Sequence, residues 1–252
     1  MKKSCLITVL GILVAAAAFA QEETRDLRSF STISASEGID VFLLKGTDES
    51  ARVVINSGNI ELDDVLTEVS GSRLKIHLDD GKGWTKRKNI DVEVFVKYKS
   101  LEGLRASSAA SISAENAIDA NGDFEIDVSS AGDIEVEINN VQELDIEASS
   151  AGDARLVVEA EEIDAGISSA GGIEISGYAT TQEIDASSSG DYEGFDLKSK
   201  EVDASASSGG SVEVNVNDRL RARASSGGSV RYRGEPTNVN SDSSSGGSVK
   251  KS

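Results

Sequence analysis

The sequence feature that most constrains the fold is a six-residue phrase that recurs eight times after residue 106. It is written SSAASI in the first copy, SSAGDI in the second and SSGGSV in the last three. The copies begin at Ser107, Ser129, Ser149, Ser168, Ser187, Ser207, Ser225 and Ser244. Neighbouring copies are therefore 18 to 22 residues apart, and a steady period near twenty residues is typical of a solenoid.

The segments on either side of each phrase predict β-strands. Apolar residues alternate with polar ones before it, as in Phe124-x-Ile126-x-Val128, and after it, as in Ile134-x-Val136. An alternation of period two places the apolar residues on one face of a strand. Because the same positions recur in every repeat, these faces stack into columns inside a coil. We therefore predict an all-β fold, a parallel β-helix of about eight short rungs.

Residues 29–105 lack the phrase but show the same alternation, for example in Leu74–Leu78. They predict an N-terminal, strand-rich capping segment. We expect residues 29–249 to form a single domain, made of this segment and the repeats at 106–249, after a short linker at 21–28.

The repeated phrase predicts the corners of the coil, where the backbone turns sharply and side chains stack directly above one another. We expect glycine there to supply backbone angles that are costly for other residues, and serine hydroxyls to bond to the turn. This structural role is favoured over a set of binding loops. The predicted corner glycines are Gly132, Gly152, Gly171, Gly190, Gly210, Gly228 and Gly247.

The first twenty residues are typical of a cleaved signal peptide. Lys2 and Lys3 precede the apolar run at 5–17, and Ala18-Phe19-Ala20 fits the small-x-small cleavage rule before Gln21. The apolar run is short for the alternative, an uncleaved membrane span. We expect an exported chain without a transmembrane span, located in the periplasm, on the cell surface or outside the cell.

Cysteine usage agrees with this expectation and removes several kinds of site. Cys5, the only cysteine, lies within the predicted signal and away from its cleavage point, so we do not expect an acylated lipoprotein. The exported chain would then carry no disulfide, no thiol nucleophile and no cysteine metal ligand.

The formal net charge of −19 argues against two classes of partner. Nucleic-acid binding needs a basic surface, so DNA and RNA are not expected partners. An anionic membrane surface is disfavoured for the same reason.

Acidic residues recur beside the first apolar position of several rungs. One hypothesis is calcium binding, because these side chains supply only oxygen ligands, the kind that calcium prefers. The other is a solvated outer face that keeps the rod soluble, and it is favoured because one column supplies too few converging oxygens. The candidate residues are Asp145, Asp164, Asp185 and Asp203, with Arg105 and Arg221 at the ends of the column and Asp133, Asp153 and Asp191 in a second, partial column.

A basic cluster surrounds the only tryptophan of the chain. Trp84 lies among Lys82, Lys86, Arg87 and Lys88 in a polar, glycine-containing loop. An exposed tryptophan beside cations suits contact with a glycan or a partner protein. The alternative is a hairpin tip that folds back over the end of the coil, since every solenoid needs a cap.

No catalytic constellation is evident. His77 is the single histidine, and one histidine forms neither a metal cluster nor, without an activated nucleophile, a triad. The serines lack the Gly-x-Ser-x-Gly setting, and no phosphate loop or dinucleotide fingerprint is present. We predict neither catalytic residues nor a cofactor, and a protein that is not an enzyme.

The order of several motifs resembles a known family. SEGIDVFLLKG at 36–46, LKIHLDDGKGW at 74–84 and LEGL at 101–104 precede the SSAGD repeats. This order is similar to the "head GIN" domain family of putative auto-transporter adhesins, common in envelope proteins of Bacteroidetes. Gly38-Ile39-Asp40 departs from the family's Gly-Ile-Asn at its third residue. The resemblance covers roughly residues 28–235 and implies a parallel β-helix-like fold and an envelope location.

These observations favour a non-enzymatic envelope protein that serves as an adhesion or interaction scaffold, with an unidentified protein or glycan partner. One alternative is a polysaccharide-processing β-helix enzyme, by analogy of fold alone. Another is a periplasmic structural or envelope-stress component without a ligand. A further expectation concerns the C-terminal end of the coil, where an exposed strand edge would allow copies of the chain to associate.

Overall fold

The computed structural model describes residues 21–79, 81 and 89–252, and these form an all-β solenoid of about seven turns. The prediction of a parallel β-helix is confirmed, with slightly fewer turns than expected. The predicted signal peptide and the Trp84 cluster lie outside the described residues. The strands are β1 (Gln21–Asp26), β2 (Thr32–Ala35), β3 (Asp40–Lys45), β4 (Ser50–Ser57), β5 (Val65–Ser70), β6 (Arg73–Leu78), β7 (Asp91–Tyr98), β8 (Gly103–Ala106), β9 (Ser111–Ala114), β10 (Ile118–Val128), β11 (Asp133–Ala148), β12 (Asp153–Ile167), β13 (Gly172–Ala186), β14 (Asp191–Ala206), β15 (Ser211–Ala224), β16 (Ser229–Arg233), β17 (Asn238–Ser243) and β18 (Ser248–Lys251), with one 3-10 turn at Leu62–Asp64.

Two parallel ladders run along the coil, one on each side of the corners. The leading sheet is formed by the strand segments before the corners, which we call the leading arms: β6, β2, β8, the C-terminal halves of β10 to β15, and β17. The trailing sheet is formed by the strand segments after the corners, the trailing arms: β7, β3, β9, the N-terminal halves of β11 to β15, β16 and β18. Each long strand from β11 to β15 therefore leaves one corner in the trailing sheet and reaches the next corner in the leading sheet.

The first rung in the chain is not the first rung in space. β2 and β3 lie between β6 and β7 on one side and β8 and β9 on the other. Beyond them the ladders become antiparallel, because β4 pairs with β7, β1 with β4, and β5 with β6. These strands form an N-terminal cap. It includes β1, although residues 21–28 were predicted to be a linker.

Arginine side chains cover part of that cap. Arg25 donates hydrogen bonds to the carbonyl oxygens of Val65 at 2.5 Å and Leu62 at 2.8 Å, and Arg28 donates to that of Val69 at 2.6 Å. The carbonyls of Val65 and Val69 belong to the edge strand β5, which pairs only with β6 within the described chain, and that of Leu62 belongs to the 3-10 turn before it. At the opposite end, β17 and β18 each pair with one neighbour on the inner side, and all six residues of β17 are exposed.

One inner column contains a buried polar residue. Gln182 takes the place that Ile163 has in the preceding rung and Val202 in the following one. Its side-chain oxygen accepts a hydrogen bond from the Tyr192 hydroxyl at 2.6 Å, and its amide nitrogen donates to the Ser199 hydroxyl. All three are buried, and burial raises the pKa of Tyr192. This closed network leaves no buried side-chain atom of Gln182 unsatisfied, as the interior requires.

Each corner is a tight turn whose two central residues are left-handed. In the second copy the backbone N–H of Gly132 donates to the Ser129 carbonyl at 2.9 Å, while Ser130 and Ala131 have φ of 52° and 59°. Positive φ at both central positions is the signature of a type I′ turn. The same pattern of one turn hydrogen bond and two positive φ angles recurs in every copy of the phrase. Glu37 and Gly38, with φ of 65° and 70°, add an earlier corner between β2 and β3 that the phrase did not reveal.

The corner glycines have a different role from the one we predicted. None of the seven predicted glycines has a positive φ; the two residues before each of them adopt the left-handed angles. Instead, each lies against the backbone of the previous turn. A Cβ on Gly171 would lie 2.5 Å from the Ala148 carbonyl oxygen, and one on Gly228 would lie 2.3 Å from that of Ala206. Glycine is needed here for close approach rather than for backbone angles.

This difference can be tested within a single corner. We expect Gly228→Ala to lower the free energy of unfolding by about 2–3 kcal/mol, because the new methyl group overlaps a carbonyl that is fixed in the ladder. Gly227→Ala should cost only about 1 kcal/mol, the lower end of the range for a left-handed residue, because its Cβ would meet no atom. Alanine already occupies the equivalent position in Ala131, Ala151 and Ala170. Urea denaturation of both variants measures the contrast, and the reverse order would show that backbone angles dominate.

Candidate functional site

A concave surface lies on the outer face of the trailing sheet. It is an open groove of about 780 Å³ that crosses the rungs from β9 to β16. We call it the trailing groove. Its lining includes Ser113, Glu135, Glu137, Arg155, Val157, Glu174, Ser176, Glu193, Phe195, Asp196, Glu213 and Arg233.

The register of the ladder explains why these side chains line up. Glu135 pairs with Arg155, Arg155 with Glu174, and Glu174 with Glu193 on successive rungs. Outward positions that pair in register stand one strand spacing apart, about 4.8 Å. The groove is therefore a set of columns at fixed spacing, and its side chains are held in place by the coil.

A bulge in β14 brings an aromatic ring into the groove. Between Glu174 and Ser176 the partner strand advances from Glu193 to Asp196, so it contains one extra residue. Gly194 packs so closely that a Cβ there would lie 2.5 Å from the Tyr192 ring. Phe195 is half-buried at this point.

The neighbouring rungs hold Phe195 in place. Its carbonyl oxygen accepts a hydrogen bond from the Asn215 side chain at 3.2 Å. The Arg233 guanidinium lies 4.0 Å from the centre of its ring, a cation–π contact. Val157, 48% exposed, adds a second apolar group to the groove.

Charges in the trailing groove are only partly compensated. Arg155 lies 2.6 Å from Asp133 and 4.0 Å from Glu174, and Arg231 pairs with Glu213 at its margin. Burial raises the pKa of Glu193, and the nearby carboxylates of Asp191, Glu174 and Glu213 raise it further. These neighbouring carboxylates give the face an excess of negative charge, which favours a cation or a hydrogen-bond donor.

The register corrects the predicted acidic column on the leading sheet. The paired positions are Glu125, Asp145, Asp164, Glu183, Asp203 and Arg221. Asp185 is not among them, because it pairs with Gly166 in the adjacent column, and Arg105 likewise pairs with Asp127. Counting back from each corner would have separated the two columns, since Asp164 lies four residues before Ser168 and Asp185 only two before Ser187.

Arginines compensate both ends of this acidic face. Arg105 pairs with Glu125 and lies 3.0 Å from Asp127, while Arg221 and Arg223 lie 3.1 and 3.3 Å from Asp203. Between these ends, burial raises the pKa of Asp145 and that of Glu147, with neighbouring carboxylates adding to the effect. Within the described ranges, no group of three or more acidic or histidine side chains is arranged to hold a metal ion.

The other predicted residues lie apart from the groove. His77 is on β6 of the leading sheet, where its Nε2 is 3.6 Å from the Glu68 carboxylate.

Sequence reasoning missed Phe195 and the trailing groove. The available signal was the break in alternation at Glu193-Gly194-Phe195, where glycine interrupts a strand pattern.

Taken together, the stacked corners, the two ladders and the open outer groove define a parallel β-solenoid protein with a surface-exposed candidate site. Residues 29–236 match the family described as "putative auto-transporter adhesin, head GIN domain", and the chain belongs to that family. The resemblance predicted from the motifs is therefore confirmed. The family's Gly-Ile-Asn position, here Gly38-Ile39-Asp40, lies at the first corner of the chain, where the Gly38 N–H donates to the Ser108 carbonyl at 3.0 Å.

Solved structures share this fold. A putative adhesin from Parabacteroides distasonis has a TM-score of 0.82 at 20% identity, over 93% of this chain and 97% of that one. One from Parabacteroides merdae has a TM-score of 0.81 at 17% identity, with the same coverage. A putative lipid binding protein from Parabacteroides distasonis has a TM-score of 0.77 at 18% identity, over 92% and 96%. A comparison with curated proteins finds no significant match.

None of the helical segments in the part of the chain that the structure describes has the length and apolar character needed to cross a bilayer.

The carboxyl groups predict opposite effects of pH on stability. Asp145 and Glu147 have pKa values raised in the folded state, so their contribution to stability falls as the pH rises above about 4, the ordinary range of these groups. Glu49 has a lowered pKa, because Lys99 and Ser29 each donate a hydrogen bond of 2.9 Å, and its contribution is lost as the pH falls through that range.

We expect Asp145→Asn with Glu147→Gln to raise the free energy of unfolding at pH 7, and Glu49→Gln to lower it. Both differences should shrink towards pH 3, and that of Glu49→Gln should persist to a lower pH because the lowered pKa of Glu49 keeps its carboxylate charged for longer. Urea denaturation between pH 3 and 7 measures them. A double variant that is less stable than wild type at pH 7 would show that repulsion along the column is negligible.

The register also predicts a weak response to calcium. We expect 5 mM calcium and 5 mM magnesium to shift the melting temperature by the same small amount, because both ions would screen the acidic columns without being bound by them. Differential scanning calorimetry of the wild type compares the two ions. A rise with calcium alone, removed by Asp145→Asn with Asp164→Asn, would establish a calcium site.

Proposed function

We propose that this protein is a non-enzymatic interaction scaffold of a bacterial cell envelope, exported by a signal peptide cleaved before Gln21, whose trailing groove makes adhesive contacts. The observation that carries the proposal is the groove itself, which places apolar, cationic and anionic side chains in columns on an open, rigid face. Such a face suits an extended ligand or a second surface better than a small molecule, which is usually enclosed. Membership of an adhesin-named family supports the same role.

The side chains of the groove suit adhesion through many contacts that each contribute a small binding energy. Phe195 and Val157 offer apolar surface, while Arg233 and Glu193 offer hydrogen bonds around it. The coil fixes these side chains before a partner arrives, so little conformational entropy is lost on binding.

Retention of protein-coated beads tests this role. We expect beads carrying the wild-type protein to be held by at least one surface in a panel of envelope polysaccharides, host glycans and matrix proteins. Phe195→Ala should reduce retention about tenfold, the scale of one buried aromatic contact. Tyr178→Ala is the matched control, because Tyr178 is an exposed aromatic residue, 39% accessible, outside the trailing groove.

Equal losses in the two variants would contradict a contact through the groove. Failure of every surface to hold the wild-type beads above uncoated ones would contradict the adhesive role.

A polysaccharide-processing enzyme is the second candidate, and one observation favours it. Glu193 is a carboxyl group with a raised pKa in a groove, which is the property of a general acid. Incubating the retained ligand with the protein and measuring its mass separates the two roles. An adhesin leaves the mass unchanged, whereas an enzyme produces fragments whose release is lost in Glu193→Gln.

A further inference from the structure

The trailing groove carries an uncompensated negative charge. Six carboxylates and two guanidinium groups line it. Arg155 is paired with Asp133, and Arg233 lies against the Phe195 ring. Glu135, Glu193 and Asp196 have no ion-pair partner in the described parts of the chain. A partner that matches this surface must be cationic.

The same groove also has an apolar centre. Val157 is 48% exposed on β12, and Phe195 is half-buried on β14, with Ser176 on the rung between them. An apolar patch inside a ring of charge is the arrangement in which one large aromatic side chain can anchor a contact. The matching partner is therefore a basic segment that carries an aromatic residue.

This chain contains one segment with that composition. Residues 82–88, KGWTKRK, hold four basic residues and the only tryptophan, on a chain whose formal net charge is −19. Two copies of so acidic a protein repel each other at long range, so association needs a site where the signs are locally opposite. Segment 82–88 and the trailing groove provide such a pair.

Distance favours a groove on a different copy. Trp84 is five residues from Asp79, so its backbone can extend at most about 17 Å from that point. Phe195 on β14 is six strand spacings from β7, along β3, β9, β11, β12 and β13, or about 29 Å. An indole side chain adds only about 7 Å to the reach of the backbone, so Trp84 cannot contact Phe195 of its own chain.

We propose that segment 82–88 of one copy binds in the trailing groove of a second copy, with Trp84 against Val157 and Phe195 and the basic side chains beside Glu174 and Glu193. This inference rests on the proposed function, because it identifies a second copy of the chain as the partner of the same groove. Adhesion would then include contact between identical molecules on facing surfaces.

Sedimentation of the purified protein tests the proposal. We expect reversible association that weakens about tenfold when the salt concentration is raised from 0.1 to 0.5 M, since these charges are exposed. Trp84→Ala should abolish it. Glu174→Gln with Glu193→Gln should weaken it about tenfold, the scale of losing two charge contacts.

A matched control exists on another face of the coil. Glu143 and Glu162 are also exposed glutamates paired in register on adjacent rungs, but they lie outside the trailing groove. Glu143→Gln with Glu162→Gln removes the same charge and should leave association unchanged. Circular dichroism spectra that match wild type would show that every variant folds.

The single tryptophan provides a second readout. Trp84 emission should shift to shorter wavelength as the protein concentration rises, because the indole leaves water on association. A shift that is independent of concentration, in a protein that sediments as a monomer, would place the segment in its own chain and overturn the proposal. Monomers without any shift, or equal losses in the groove and control variants, would also overturn it. Surface retention of beads by a monomeric wild type would leave the proposed function standing and refute only the contact between copies.

Discussion

The structure depends on the contact between one turn's corner and the backbone of the turn before it. At Gly132, Gly152 and their equivalents, a Cβ would lie within 2.3 to 2.7 Å of a backbone atom of the preceding turn. This closeness lets the corners themselves join the ladder, since the Ala131 N–H donates to the Ser150 carbonyl at 3.2 Å and Ala151 repeats the bond to Ser169. Between the first six copies of the phrase, the hydrogen bonds thus continue through the corner from one strand segment to the next, and the segments on both sides share a common register.

Because of that register, residues that recur in the sequence line up as columns on the surface of the coil. Because equivalent residues stand one above another, a substitution in one repeat changes one place in a column and leaves the others as they were. The aromatic residue of the trailing groove comes in this way from a single irregular rung. Gly194 allows the bulge, Phe195 becomes part of the surface, and inside the coil Tyr192 and Gln182 close a polar network where other rungs have apolar pairs.

The repeats made the coil predictable, whereas the details of the site depend on departures from the repeats. Spacing and alternation were enough to predict the ladders, but they do not state which corner residue has which backbone angle, so the glycines were given the wrong role. The position of Asp185 was wrong because the acidic column was counted from the first apolar residue of each rung. The polar Gln182 occupies that place in its rung, so the count began at Ile184 instead. Glu37-Gly38 lacks the serine phrase, so the phrase alone does not mark the first corner of the coil. A groove formed by residues from separate rungs, such as Val157 and Phe195, has no signature in linear sequence.

Because the corners are equivalent, the length of the rod can change without any change to its two ends. Ala148 and Ile167 occupy the same register position on neighbouring turns, each just before a Ser-Ser corner. A chain without residues 149–167 would join equivalent points, keep both termini in place and be shorter by one strand spacing, about 4.8 Å. Gain or loss of a turn by recombination would therefore change the distance between the N-terminal cap and the C-terminal edge in steps of a fixed size. Each new junction would be the same as the existing ones, so no new contact would have to evolve.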